Sequence, residues 1–261
     1  MKNIHDKKLI VFDLDGTLAA SKAPIDKEMD RLFTQLLAAK KVAVIGGGKY
    51  DLFKLQLISA LTAPKSLLKN LFLFPTTSTA FYRYDGGWKN IYRHTLSKEE
   101  RTTIKEAFKE VLKQSGYVPP KKTYGKVLED RGTQITFSAL GQDIVAVLGK
   151  KEGVRLKEKW KNENTPMKLK MAKMLAKRLS GLEVHAAGFT SIDVTHKGID
   201  KAYGLHQIEK YLHIPIKDMV FIGDALFPGG NDYAVKKTGV QAIPVNDPEE
   251  TKEIIRKIIK E

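Results

Sequence analysis

The stretch Leu9-Ile10-Val11-Phe12-Asp13-Leu14-Asp15-Gly16-Thr17 decides the fold. Its first four residues are an unbroken apolar run, the pattern of a short strand buried on both faces. Two carboxylates follow at once. In open α/β sheets, ligand sites lie at the carboxyl ends of strands, so Asp13 and Asp15 arrive where chemistry is expected. Residues i and i+2 of an extended segment share a side, and Gly16 lets the chain turn while its backbone approaches a ligand. Two close carboxylates repel unless a cation or proton lies between them, which predicts a divalent metal. Taken alone, the motif also fits an Asp-rich turn that caps the next helix.

Working outward, helices and strands alternate. Met29, Leu32, Phe33, Leu36 and Leu37 form one helical stripe behind an Asp26 N-cap. Val42–Ile45 is a second buried-type strand that ends in Gly46-Gly47-Gly48, a helix through Leu52, Leu55 and Ile58 follows, and Leu71–Phe74 is a third strand. This alternation predicts a Rossmann-like, doubly wound parallel sheet of the α/β class. From about residue 89 the character changes. A hairpin around Asp85-Gly86-Gly87 leads to a capping box at Ser97–Glu100 that opens a helix to about Gln114. Paired strands turn at Arg131-Gly132, Thr165-Pro166 reads as the start of a helix with a Met167/Met171/Met174/Leu175/Leu179 core stripe, and two further strands lie near 182–186 and 191–195. The α/β pattern returns with a helix over 199–212, strands at Met219–Ile222 and Val240–Ile243, and a closing helix after Asp247-Pro248. The expected organisation is a core of residues 1–88 and 197–261 interrupted by an α+β cap at 89–196.

A second acidic cluster supports the metal reading. Ile222-Gly223-Asp224 ends a buried strand, and Pro228-Gly229-Gly230-Asn231-Asp232 follows. If that strand neighbours the first, Asp13, Asp15, Asp224 and Asp232 converge, and an all-oxygen set suits Mg²⁺.

Composition limits the alternatives. There is no cysteine, so neither disulfides nor thiolate chemistry exist here. No apolar run approaches the length needed to span a bilayer, and the charged first residues lack the apolar stretch of a signal peptide, so a cytoplasmic protein is expected. With 45 Lys+Arg against 30 Asp+Glu the chain carries +15, and residues 91–190 hold 21 of the basic and 11 of the acidic residues. Such an excess attracts phosphates, on a small substrate or on nucleic acid, or merely solvates helix faces. A basic nucleic-acid-binding module is therefore the alternative from another class, disfavoured by the absence of any recognisable binding motif.

Asp13-Leu14-Asp15-Gly16-Thr17, Gly223-Asp224 and Asn231-Asp232 resemble the motifs of the haloacid dehalogenase superfamily, and the insert resembles its type IIB cap. The likeness is greatest to the eukaryotic-type phosphomannomutase branch, through Val44–Gly47, Arg131–Gly141, Ser191–Val194, Gly198–Lys201 and Gly223–Asp232. The resemblance implies Asp13 as the nucleophile that forms an aspartyl-phosphate, Asp15 as acid and base, and Lys201 as a point charge beside them. It implies Mg²⁺ held by Asp13, the Asp15 backbone carbonyl and Asp224, with Asp232 beside or behind it. Arg131, Ser191 and Asp193 become candidate contacts to a sugar phosphate.

Two departures stand out. Where the superfamily offers a hydroxyl to the phosphate, this chain has Gly46-Gly47-Gly48; backbone N–H groups of Gly46 and Gly47 could bind it instead, or the glycines could form a plain strand-to-helix turn. Where the branch closes its cap segment with arginine, Gln142 stands, which keeps a contact but loses a bidentate charged grip on phosphate. For that reason the sequence favours a Mg²⁺-dependent phosphohydrolase of a small phosphorylated metabolite, a sugar phosphate foremost, over a phosphohexomutase. It leaves the oligomeric state open.

Overall fold

The structure is a computed structural model that describes residues 4–228 and 230–259. Gly229, within the Gly223–Asp232 stretch, lies outside the described residues. The chain divides into two compact units. The first holds residues up to Arg93, Asp200–Pro228 and the chain from Asp232; the second holds His94–Ile199.

The first unit is built on a seven-stranded sheet. In chain order its strands are β1 (Leu9–Asp13), β2 (Lys41–Ile45), β3 (Leu71–Phe74), β4 (Ala80–Tyr84), β5 (Trp88–Arg93), β10 (Met219–Gly223) and β11 (Gln241–Pro244). Their spatial order is β11-β10-β1-β2-β3-β4-β5. The five strands from β11 to β3 run parallel, and the β4–β5 hairpin adds two antiparallel strands at one edge, so the sheet is mixed. Because β5 pairs with β4, residues 89–93 belong to this sheet, and the division falls at His94 and Ile199, a few residues beyond the 89–196 expected.

Alternation along β1 explains the layering. Ile10 and Phe12 pack with Met29, Phe33 and Leu36 of helix Lys27–Ala39 and with Ile255 and Ile258 of helix Pro248–Ile259. Leu9 and Val11 pack on the other face with Leu205 and Ile208 of helix Lys201–Leu212. Each fully buried side chain of this kind contributes about 1.5–3 kcal/mol. Asp26 caps helix Lys27–Ala39 as expected, accepting from Met29 N at 2.8 Å. The helix expected through Leu52, Leu55 and Ile58 takes another phase. After the turn Tyr50–Phe53, residues Lys54–Ile58 form a π-helical turn, closed by Ser59 N donating to Lys54 O at 2.8 Å. Leu55 is exposed, and Phe53, Gln56 and Leu57 are buried instead.

The second unit has a four-stranded antiparallel sheet in the order β6-β7-β9-β8, comprising β6 (Leu128–Asp130), β7 (Ile135–Ser138), β8 (Leu182–Ala187) and β9 (Ser191–His196). Its apolar face, with Ile135, Phe137, Ile192 and Val194, packs on helices Lys98–Gln114 and Ile144–Arg178. The capping box of Ser97 and Glu100 is present. Thr165-Pro166 does not open a helix: Pro166 lies inside Ile144–Arg178, whose single non-helical residue is Gly149, at φ 77°. Side chains serve the carbonyls of the preceding turn, with Asn164 Nδ2 donating to Trp160 O and Thr165 Oγ1 to Lys161 O. No helix among the described residues is long and apolar enough to cross a membrane.

Gly204 tests how tightly the Lys201–Leu212 helix sits on the sheet. A methyl there would overlap the buried Ser78 hydroxyl and come within 2.8 Å of Ile45 Cδ1. Helix propensity alone favours alanine over glycine by about 1 kcal/mol, whereas overpacking costs about 1–3 kcal/mol. Gly204→Ala is therefore expected to lower the free energy of unfolding, read as a lower urea midpoint with an unchanged slope.

Candidate active site

Parallel pairing of β1 with β10, in register Phe12↔Ile222, places the ends of the two strands side by side. Asp13 is the last residue of β1, and Asp224 follows the last residue of β10. Asp232 closes the Gly223–Asp232 stretch, its Oδ2 accepting from Ala225 N at 3.0 Å. Carboxylate oxygens of Asp13, Asp224 and Asp232 all lie within 4.8 Å of one another. Asp200 caps helix Lys201–Leu212, accepting from Tyr203 N at 2.8 Å, and so fixes the first helical residue. That residue, Lys201, is fully buried and donates to both Asp13 Oδ1 and Asp232 Oδ1.

The backbone keeps the space between these groups free. Gly16 has φ +93°, and a Cβ there would stand 2.5 Å from Asp224 Oδ2; a Cβ on Gly223 would overlap Asp232 Oδ2. Thr17 is buried and its Oγ1 accepts from Asp224 N at 3.1 Å, tying the two strand ends together.

Electrostatics follow from burial. Burial pushes the Asp13 carboxyl well above its ordinary pKa; Lys201 opposes this, while Asp232 and Asp224 add to it. Burial, then Asp232, raise Asp224 to about 6 against the pull of Lys201. Burial also works against the Lys201 charge, yet Asp13 and Asp232 outweigh it and hold that ammonium above its usual range. Three carboxylates and one ammonium leave two negative charges uncompensated, the charge a divalent cation supplies. The donors are all oxygens, as Mg²⁺ requires. The residues present fit that ion.

The Asp15 side chain is not part of the acidic group. Because β1 ends at Asp13, Asp15 lies in the turn rather than one pleat further along the strand. Its Oδ1 accepts from Lys22 N at 2.7 Å and from Gln56 Nε2 at 2.9 Å. Gln56 went unnoticed in the sequence. The available signal was one amide in phase with Phe53 on a helix otherwise read by its leucines.

Of the glycines, Gly46 gives its N–H to Phe74 O at 3.2 Å, extending the β2–β3 ladder, and its carbonyl accepts from Thr77 N at 2.9 Å. A Cβ on Gly46 would press to 3.1 Å on the Phe53 ring and 3.2 Å on Leu14. This glycine is explained by packing. The carbonyl of Gly48 accepts from Thr76 N at 2.8 Å. Both bonds come from a left-handed turn, Thr76–Ser78, with φ of 48°, 55° and 71°. Gly47 lies between the two tethered residues.

In the second unit, Arg131, Gln142 and Asp193 come together. Arg131 Nε donates to Glu129 Oε2 at 2.8 Å and its Nη2 to Gln142 Oε1 at 3.1 Å. Cross-strand register sets Glu129, Thr136, Asp193 and His185 in one row across all four strands. Ser191 lies two residues before Asp193 on β9, on the same face. Burial raises the pKa of Asp193; Arg131, a Thr136 hydrogen bond, His185 and Lys168 oppose it. Asp193 Oδ1 is buried without a hydrogen-bond partner. Lys168, also overlooked in the sequence, donates to Gly188 O at 2.7 Å, and burial, followed by Lys161, lowers its pKa to about 8 against the pull of Asp193.

Lys201 is the test of this electrostatic account. Removing one partner of a buried ion pair leaves an uncompensated charge and costs about 3–5 kcal/mol. Lys201→Met is expected to destabilise by that order in chelator-treated protein, with a smaller loss when Mg²⁺ is added, as read by denaturant unfolding under both conditions.

Known proteins resemble the chain along most of its length. The family model for eukaryotic phosphomannomutase matches residues 29–261. Similar chains include a phosphomannomutase of Encephalitozoon cuniculi, 26% identical over 255 residues, covering 94% of this chain and 91% of that protein. A phosphomannomutase of Drosophila melanogaster is 25% identical over 260 residues, covering 98% and 97%. Among solved structures, a haloacid dehalogenase-like hydrolase from Bacteroides thetaiotaomicron aligns at TM-score 0.62 and 16% identity, covering 97% of this chain and 99% of that one. Plasmodium falciparum IMP-nucleotidase with bound IMP aligns at TM-score 0.69 and 17% identity, covering 98% and 68%; both structural likenesses speak to the fold. With a family match over nearly its whole length, the chain belongs to the eukaryotic phosphomannomutase family and, with it, to the haloacid dehalogenase superfamily of enzymes.

Proposed function

We propose that the chain is a Mg²⁺-dependent phosphohexomutase, moving a phosphoryl group between positions of a hexose phosphate by way of Asp13. The observation that carries this reading is the full-length likeness to proteins named phosphomannomutase. It outweighs the single cap residue, Gln142, that made hydrolysis the leading expectation from sequence. Under this reading Asp13, the Asp15 backbone carbonyl, Asp224 and Asp232 hold the ion, which when bound neutralises charge on the nucleophile and the phosphoryl oxygens.

The protein's own residues do the rest. Lys201 takes Asp13 Oδ1 and so leaves Oδ2 to attack phosphorus. Asp15 protonates the departing sugar oxygen as its bond to phosphorus breaks. It then takes the proton from the accepting hydroxyl as the phosphoryl leaves Asp13. In the second unit, Arg131 offers charge to the non-reacting phosphate, Ser191 and Asp193 offer sugar contacts, and Gln142 steers the Arg131 guanidinium through their hydrogen bond. Lys168, near enough to Asp193 to attract it, provides a second cation on that unit.

Hydrolysis is the second reading, favoured by Gln142, since a neutral amide lacks the charge-assisted bond that helps hold a bisphosphate and exclude water. The experiment is a coupled isomerisation assay on hexose 1-phosphates with a hexose 1,6-bisphosphate supplied, run beside a phosphate-release assay. Isomerisation is expected to exceed release about tenfold or more. Release that outpaces isomerisation establishes the hydrolase instead. Asp13→Asn is expected to lower either activity by about 1,000-fold or more, the order seen when a nucleophile is removed, with the fold retained by far-UV dichroism but a lowered melting temperature, because Lys201 loses one of its two charged partners. Excess chelator is expected to abolish both activities, and Mg²⁺ to restore them.

A further inference from the structure

We propose that Gln56 is a positioning residue that locks the Asp15 carboxylate with Oδ1 turned inward and Oδ2 presented to the substrate oxygen. The inference rests on the phosphoryl-transfer reading above and adds a residue to it.

The side chain of Gln56 is fully buried. Its Nε2 lies between two acceptors, Asp15 Oδ1 at 2.9 Å and Ala23 O at 3.1 Å, so the amide can be oriented only one way. Gln56 also holds the loop that carries the other donor. Its carbonyl accepts from Ile25 N at 2.9 Å while its amide binds Ala23 O, so residues 23–25 are clasped from both sides. Just before them, Lys22, at φ 57°, turns its own N–H onto Asp15 Oδ1 at 2.7 Å. Gln56 therefore acts on Asp15 directly and through Lys22. An oxygen that accepts two N–H donors is not the oxygen that transfers a proton. That leaves Oδ2, which takes no hydrogen bond from any described residue.

Two further features point to function rather than to packing. Gln56 Oε1 is buried with no partner, a cost that an apolar residue in this phase would avoid. The residue also lies within a π-helical turn, Lys54–Ile58, a device found disproportionately at functional sites.

In the first half-reaction, Asp15 Oδ2 gives its proton to the leaving sugar oxygen as the Asp13–phosphorus bond forms. A leaving group that departs readily as an anion needs no such proton. The test is rapid-quench measurement of that half-reaction in Gln56→Met and Gln56→Glu, with a hexose 1-phosphate and with 4-nitrophenyl phosphate. Transfer from the hexose phosphate is expected to slow about tenfold to 100-fold, the scale of a misplaced catalytic group, with KM changed less than about threefold. The 4-nitrophenolate burst is expected to stay within about twofold of the parent, which also shows that the Asp13 site is intact. Equal loss on both substrates in a variant with parental melting behaviour overturns the proposal, because it marks a structural role. Parental rates on both overturn it as well. Should Gln56→Met not fold, Gln56→Glu keeps the shape and removes the donor. Asp15→Asn is run alongside. If it leaves the hexose phosphate rate unchanged, the reading of Asp15 fails and this inference with it; if it is inactive while Gln56→Met is unaffected, this inference fails alone.

Discussion

The ammonium of Lys201, shared between two carboxylates out of reach of water, is the interaction on which the core depends. Burying one such ion costs several kcal/mol, and a single contact ion pair returns about 4 kcal/mol at an effective dielectric constant of 20. One partner barely balances the lysine; two hold it charged. Asp13 comes from β1, Asp232 from beyond β10, and Lys201 from the start of a helix, so the charge balance can be met only when all three segments are in place. The sheet order that makes β1 and β10 neighbours is thus a requirement of the site as well as of the core. The same ion triple leaves Asp224 outside the pairing, with a raised pKa, facing the space that Gly16 and Gly223 keep clear.

Much of this was legible in the sequence where the governing physics is local. Apolar runs that end in aspartate marked β1 and β10, and side-chain periodicity with Asp26 or the Ser97–Glu100 box marked two helices and their starts. Features set by longer-range contacts were not. The i, i+2 rule joined Asp13 with Asp15 because it assumed that the strand continued past Asp13; it stops there, and Lys22 and Gln56 draw Asp15 aside. Period 3.6 chose Leu52, Leu55 and Ile58 as the inner face, but Phe53, Gln56 and Leu57, an equally helical i, i+3, i+4 set, are the residues the fold buries. Pro166 looked like a beginning because a proline inside a helix costs about 3 kcal/mol, yet the amide and hydroxyl just before it, on Asn164 and Thr165, serve carbonyls of the preceding turn.

The proposed choice between transfer to sugar and transfer to water brings position 142 of the second unit into focus. A missing arginine at position 142 reads from sequence as a lost phosphate grip. In the structure Gln142 accepts from Arg131, and Glu129 accepts from its other side, so one guanidinium is held at both edges. An arginine at 142 would repel Arg131, whereas an amide can orient it. The substitution therefore exchanges a second charge for a better-fixed first one, and Lys168 brings a further ammonium to the neighbourhood of Asp193. Full-length kinship with phosphomannomutases and the loss of one arginine are thus compatible.

Where the chain breaks its own rules is informative. Buried polar atoms in folded proteins are nearly always satisfied, and exceptions call for an explanation. Gln56 Oε1, on the amide whose Nε2 binds Asp15, is one exception; Asp193 Oδ1 and His185 Nε2, on residues paired across β9 and β8, are two others. None of these helps the apo fold, since each could be replaced by an apolar group at lower desolvation cost. A hydroxyl-rich ligand on the polar row of the second sheet would satisfy Asp193 and His185, and nothing in the apolar cores of either unit asks for it. Asp193 and His185 thus carry, on the polar face of the second sheet, a desolvation cost that a bound hydroxyl-rich ligand would relieve.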